Sequence, residues 1–196
     1  WCLAETLDSL KRQTFRNLAV IAVDDASADD SYELLVRTAS ENREHWQVRR
    51  NAKNLGMIPN LNQCLRYQRE LFPDVDYVFK LDSDEVLEPG LLATGVHVLD
   101  GDRGAVVCHF RPRFVDSEGR DEARDCGLAR KLAVHGWPRW ASHRMPPPAA
   151  LWMFIRYDNI IASSCAFIRR VTLESLAVPW WDERVAWAAD YEMWTR

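Results

Sequence analysis

Tyr77-Val78-Phe79-Lys80-Leu81-Asp82-Ser83-Asp84-Glu85 is the stretch on which the fold of this chain turns. It opens as an aromatic and β-branched apolar run, the pattern of a buried strand. It closes on three carboxylates within four positions. Carboxylates beside a core need a positive partner. Closely spaced Asp and Glu oxygens are the ligands that hard divalent cations take. A solvated acidic turn after a strand has the same composition, so Asp82 and Asp84 need support from the rest of the chain.

That support lies on both sides. Upstream, Leu18 to Val23 is an uninterrupted apolar run of strand length, as expected for a parallel strand buried on both faces. It too ends in carboxylates, Asp24 and Asp25, followed by a polar cluster that reads as a loop and a helix start. Before it, Leu3, Thr6, Leu7 and Leu10 repeat at helical spacing and predict an amphipathic helix over residues 3–13. After it come a helix through Tyr32–Val36 and a short strand, Trp46–Arg50. A turn rich in Asn and Gly, Asn51 to Gly56, leads to a helix with Pro59 in its first turn that runs to about Leu71. Beyond the acidic loop, Pro89 opens a helix carrying Leu91, Leu92 and Val96, and Ala105–Phe110 is a further strand. This alternation predicts an α/β domain with a mainly parallel sheet.

The character changes after Phe110. Residues 111–150 are rich in Arg, Gly, Pro and Trp and show little periodicity, with a hairpin expected around Ser117-Glu118-Gly119. Long irregular segments in compact domains are functional or disordered, and Trp137, Trp140 and Trp152 favour function. Ile160–Ile168 returns to strand-like sequence, followed by short helices near Thr172–Leu176 and Ala186–Arg196.

Bulk properties narrow the function. The 196 residues fit one domain, and 47% hydrophobic with 28% charged residues is ordinary for a soluble globular protein. A net charge of −4 argues against a general nucleic-acid binder. The five cysteines, Cys2, Cys64, Cys108, Cys126 and Cys165, have no metal-ligand or redox spacing and read as reduced thiols. No apolar run reaches bilayer length, and no signal peptide is visible. The expected setting is cytoplasmic, the inner face of a membrane included.

Four blocks in this order resemble the inverting glycosyltransferases of family 2, which have the GT-A fold. Val23-Asp24-Asp25-Ala26-Ser27-Ala28-Asp29 is similar to the family's V-D-D-x-S-x-D. Asn54-Leu55-Gly56, with Asn60 and Asn62, resembles its N-x-G segment and the Asn that follows. Leu81-Asp82-Ser83-Asp84, with Pro89, resembles the D-x-D loop and its trailing Pro. Trp181-Asp182-Glu183 and Ala189-Asp190-Tyr191-Glu192-Met193-Trp194-Thr195-Arg196 resemble the F-D-E … E-D-x-x-L-W-x-R ending. Two departures stand out. The family's opening strand does not precede the first helix, and Ala189 stands where the family commonly has Glu.

The resemblance implies one GT-A catalytic domain over residues 1–196, a Rossmann-like mixed, mainly parallel sheet flanked by helices, trimmed at its N-terminus and lacking the first strand. Residues 1–110 would be the nucleotide-binding half and 111–196 the acceptor-binding half. It further implies a nucleotide-diphosphate sugar donor and a carbohydrate or other hydroxyl acceptor. By the same resemblance Asp84 and Asp82 would hold a divalent cation, Mn²⁺ or Mg²⁺. Asp82 would also contact the ribose, while Asp25, Asn54, Gly56 and Asn60 would line the nucleotide-sugar site. Asp190 would be the general base. Trp137 and Trp140 would offer a sugar-stacking platform. From the residues alone, Asp25 reads equally as a helix cap, Asp190 as an exposed helix residue and most Trp as packing. Two other classes stay open: a non-catalytic nucleotide-sugar-binding domain, and a metal-dependent nucleotidyltransferase, for which no phosphate loop is visible.

Overall fold

The apolar run after the first helix forms strand β1, Val20–Asp24, and the Trp46–Arg50 segment forms β2. The two pair in parallel, in a register that sets Val20 opposite Trp46 and Asp24 opposite Arg50. Helices α1 (Cys2–Lys11) and α2 (Ser31–Ser40) pack beside them, so that Leu7, Leu35 and Trp46 form one buried cluster. The computed structural model describes residues 2–42, 45–110, 112, 113, 115, 116, 118–120, 165–176 and 180–184.

A second sheet holds the acidic stretch. Strand β3, Tyr77–Phe79, ends just before Lys80, and β4 is Val107–His109, shorter than the Ala105–Phe110 run predicts. Between them lies β5, Ala166–Arg169, antiparallel to both. β3 and β4 therefore run the same way, and the fold is a mixed sheet. The antiparallel member was not legible from alternation, because a strand that arrives after a long excursion carries no directional signal. Phe167, at the centre of β5, packs its ring 5.3 Å from Tyr77 and 6.0 Å from Phe79.

Three helices complete this half: α3, Met57–Leu71; α4, Leu91–Gly101; and α5, Arg170–Ser175. Ile58 and Leu65 of α3 meet Ile168, Leu173, Trp180 and Trp181 in a second buried cluster. α4 approaches β5 through Gly95, where an added Cβ would sit 2.9 Å from the Phe167 ring. Larger residues there would push the helix off the sheet. The C-terminal end of α4 is closed by Arg169, whose guanidinium donates to the carbonyls of Leu99, Asp102 and Ala105 and to the Tyr77 hydroxyl. One cation thus satisfies several carbonyls that a helix end leaves unpaired.

β1 and β3 do not pair. Among the described residues the strands form two sheets, and a cleft of about 1300 Å³ lies between them. Its walls include Leu7, Ile21, Val23, Leu61, Val78 and Leu81, and the residues that follow both strands open into it.

Candidate active site

Asp24 and Asp25 are neighbours with different partners. Ala26 makes the separation possible by adopting φ 60, a left-handed value that non-glycine residues seldom take. Such a conformation costs on the order of 1 kcal/mol and is characteristic of ligand-binding turns. Asp24 turns inward, with its side chain 1% exposed. It receives Arg50 Nε at 3.1 Å and the Ser27 amide at 3.2 Å. Arg50 in turn lies over the Tyr32 ring, 4.7 Å from its centroid.

Asp25 turns toward the Asn-rich segment. Its Oδ1 accepts from Asn51 Nδ2 at 2.7 Å and from the Leu55 amide at 2.9 Å, and its Oδ2 accepts from the Gly56 amide at 2.9 Å. Burial pushes this carboxyl up, but the three hydrogen bonds together outweigh it and hold the group below the usual carboxylate range. Asp25 therefore caps neither end of α2. It braces the turn that leads into α3. Asn54 assists by accepting from the same Gly56 amide at 3.0 Å. Gly56 has φ 86, open to glycine at little cost, and immediately precedes α3. Asn51 also donates to Asn60 Oδ1 at 2.9 Å, and Asn60 donates to the Val23 carbonyl. Asp25, Asn51, Asn54, Gly56 and Asn60 are thus one hydrogen-bonded unit. Asn51 belongs to it although sequence reasoning passed over it. Its only signal was its place as the first residue of the turn.

The acidic loop faces the same cleft. Lys80 Nζ lies 2.6 Å from Asp82 Oδ2, with the lysine side chain 15% exposed, so one carboxylate of the loop has a positive partner supplied from within the strand end. Sequence reasoning gave Lys80 no role. The Asp82 amide is taken by Glu85 Oε2 at 3.1 Å. Asp84 is exposed and makes no hydrogen bond or ion pair with the described residues. Asp25, Lys80, Asp82 and Asp84 all line the one cleft.

Among the described residues no three His, Cys, Asp or Glu side chains converge as an all-protein cage. One free carboxylate, Asp84, beside a lysine-paired one, Asp82, instead fits the kind of cation that is held by one or two carboxylates together with substrate phosphates and water. The site thus fits a Mg²⁺- or Mn²⁺-type ion shared with a diphosphate.

The fourth block is tied to the second by Asn62, which is fully buried. Its Nδ2 donates to the Trp181 carbonyl at 2.8 Å and to Glu183 Oε1 at 3.2 Å, and its Oδ1 accepts from the Trp181 amide at 3.1 Å. Residues 180–184 are thereby fixed to the first turns of α3. Asp190, Trp137 and Trp140 lie outside the described residues.

The family model described as Glycosyl transferase family 2 matches residues 2–174. The chain belongs to glycosyl transferase family 2. The family match runs from α1 into α5 and so contains both carboxylate-ended strands. Among curated relatives, EpsE of Bacillus subtilis (strain 168), which carries a glycosyltransferase name, is 28% identical over 101 residues, 52% of this chain and 34% of its own length. The bifunctional glycosyltransferase pgtA of Dictyostelium discoideum is 29% identical over 96 residues, 48% of this chain and 12% of its own length. The chain thus spans about a third of the first relative and much less of the second. Among solved structures, S. aureus TarS 1-349, crystallised in complex with UDP, shares the fold with a TM-score of 0.51 at 22% identity, over 62% of this chain and 34% of that one. Among the described residues, no helix is long and apolar enough to cross a membrane.

Proposed function

We propose that this chain carries the donor-binding and catalytic part of a metal-dependent inverting glycosyltransferase. It would move a sugar from a nucleotide-diphosphate donor to an acceptor hydroxyl, of a carbohydrate or another molecule. The observation that carries the reading is that Asp82, held by Lys80, stands beside Asp84, which has no partner among the described residues, in the loop after β3, with the braced Asp25 turn after β1.

Each residue then has a task set by its surroundings. The Asp25 unit fixes a turn whose remaining polar groups are available to a nucleobase. Asp82, neutralised in part by Lys80, positions the ribose side of the donor. Asp84, whose carboxylate has no partner among the described residues, would hold a divalent cation beside the diphosphate. When bound, that cation neutralises charge on the departing diphosphate. In the transfer itself, the acceptor oxygen forms a bond to the anomeric carbon as the bond from that carbon to the phosphate oxygen breaks. The diphosphate leaves with the electron pair, and the acceptor proton passes to Asp190, the general base. Attack and departure on opposite sides of the carbon invert it. The TarS complex makes uridine nucleotides the first donors to try. Scattered, reduced cysteines fit a cytoplasmic setting.

The test is a screen of nucleotide sugars for thermal stabilisation with and without Mn²⁺, followed by product analysis with the selected donor. Release of nucleoside diphosphate is the expected result. Release of pyrophosphate would identify a nucleotidyltransferase instead. Donor binding without any release would leave a binding domain.

A further inference from the structure

Helix α1 carries an unusual face. Thr6, Ser9 and Gln13 are polar, yet Thr6 is 4% exposed and Ser9 and Gln13 are fully buried. Their spacing of three and four residues aligns them on one stripe of the helix and the turn that follows it. Buried polar groups need partners, and the partners here are the backbone of the acidic loop. Thr6 Oγ1 is 3.0 Å from the Ser83 carbonyl, with the Cys2 carbonyl 3.1 Å away as its alternative acceptor. Ser9 Oγ accepts from the Leu87 amide at 3.1 Å and donates to the Thr6 carbonyl at 2.7 Å. Gln13 Nε2 donates to the Glu88 carbonyl at 2.8 Å, and its Oε1 accepts from the Leu92 amide at 3.1 Å. The Thr14 amide adds a bond to the Pro89 carbonyl at 2.8 Å.

The segment between β3 and α4 has no regular structure of its own, so its shape is dictated from α1. The Ser83 carbonyl belongs to the peptide that leads into Asp84. Asp84 has no partner among the described residues, so where its carboxylate can reach depends on how the backbone at Ser83–Asp84 is held. We propose that Thr6, Ser9 and Gln13 are positioning residues for the Asp82–Ser83–Asp84 loop, with Thr6 setting the angle at which Asp84 meets a divalent cation and a diphosphate. The proposal rests on the reading of that loop as the shared cation–diphosphate site. The helix supplies no ligand. It supplies the frame, and a frame fixed by packed side chains can be held more closely than a free loop.

The experiment uses the full chain and three variants, Thr6→Val, Thr6→Ser and Ser9→Ala. Mn²⁺ is titrated in the presence of uridine, guanosine and thymidine diphosphates in turn, and free Mn²⁺ is followed by its electron paramagnetic resonance signal. Valine keeps the shape of threonine and removes the hydroxyl. Thr6→Val is expected to weaken Mn²⁺ binding in the presence of the nucleotide about tenfold or more and to leave metal-free nucleotide binding within about twofold. Thr6→Ser restores the hydroxyl and should restore Mn²⁺ binding. A role confined to stability would lower the melting temperature of Thr6→Val and leave its Mn²⁺ titration, run well below that temperature, unchanged. Ser9→Ala, whose contact Leu87 lies three residues beyond Asp84, is expected to weaken Mn²⁺ binding several-fold and serves if Thr6→Val does not fold. A folded Thr6→Val or Ser9→Ala protein with an unaltered Mn²⁺ titration would overturn the positioning role alone. A wild-type chain that binds nucleoside diphosphate with no dependence on Mn²⁺ would overturn the metal reading itself, and the proposal with it.

Discussion

Asn62→Ala removes a side chain that ties both the amide and the carbonyl of Trp181 to α3. The Trp181 amide and carbonyl each lose a partner, and Trp181 itself is 2% exposed. Water cannot take their place without entering a packed cluster that also holds Ile58, Leu65 and Trp180. A buried backbone group left unpaired costs about 1–3 kcal/mol. Two of them give roughly 2–6 kcal/mol, with the bond to the exposed Glu183 adding little. Set against a total domain stability of about 5–15 kcal/mol, that is a large loss for one amide. Urea denaturation measures it as a shift of the midpoint at constant slope. Amide exchange at Trp181 measures it locally, since that N–H should be strongly protected in the parent and rapid in the variant. Asn62→Asp is a sharper form of the same test. It keeps an acceptor for the Trp181 amide, loses the donor and sets a second carboxylate against Glu183. A loss under about 1 kcal/mol in Asn62→Ala, with Trp181 still protected, would refute the clamp.

Three further outcomes are expected. Asp84→Asn should abolish Mn²⁺-dependent nucleoside diphosphate affinity without lowering stability, because the side chain is exposed and has no partner among the described residues, whereas Asp82→Asn should weaken nucleotide binding more than metal binding; calorimetric titration with and without Mn²⁺ reads both. Asp190→Asn should keep donor binding and lose turnover by about two to four powers of ten, the usual contribution of a general base, and normal turnover in it alongside a dead Glu192→Gln variant would move the base to the other residue. His109 is held neutral by burial, its value pushed down to about 4 from an ordinary 6.5. The folded chain then binds fewer protons than the unfolded one between those values, so its stability is full above pH 6.5 and declines as pH falls toward 4, by on the order of 3 kcal/mol; His109→Phe should flatten the denaturation midpoint over that range.

Most of the fold was legible because the chain alternates cleanly between apolar runs and amphipathic segments. Strand Trp46–Arg50 falls where its composition put it, and the helix after Gly56 starts and stops near Pro59 and Leu71 as expected. What escaped was relational. β5 reads as a strand in isolation, but nothing in Ala166–Arg169 says that it enters between β3 and β4. The site divides the same way. Asp25, Asn54, Gly56, Asn60, Asp82 and Asp84 stood out because carboxylates at strand ends and Asn-Gly turns are unusual locally. Lys80 and Asn51 did not, since a single lysine or asparagine acquires meaning only from what it faces. Thr6 was placed correctly on the inward side of its helix, yet the sequence could not show that its hydroxyl was the reason.

The position of β5 also governs how the chain can be made. Arg169 and its partner Tyr77 are 92 positions apart, and no neighbour for β3 or β4 exists among the described residues until residues 166–169 have been synthesised. Between the emergence of β4 and that of β5 lie roughly 60 residues, which at about 5–20 residues per second is several seconds of translation. For that interval neither Tyr77–Phe79 nor Val107–His109 has its β5 partner. Closure of this sheet is a late, long-range event, slow for its size. A strand that waits for a distant partner is the kind of edge that chaperones protect, and here it is the strand that leads into the acidic loop.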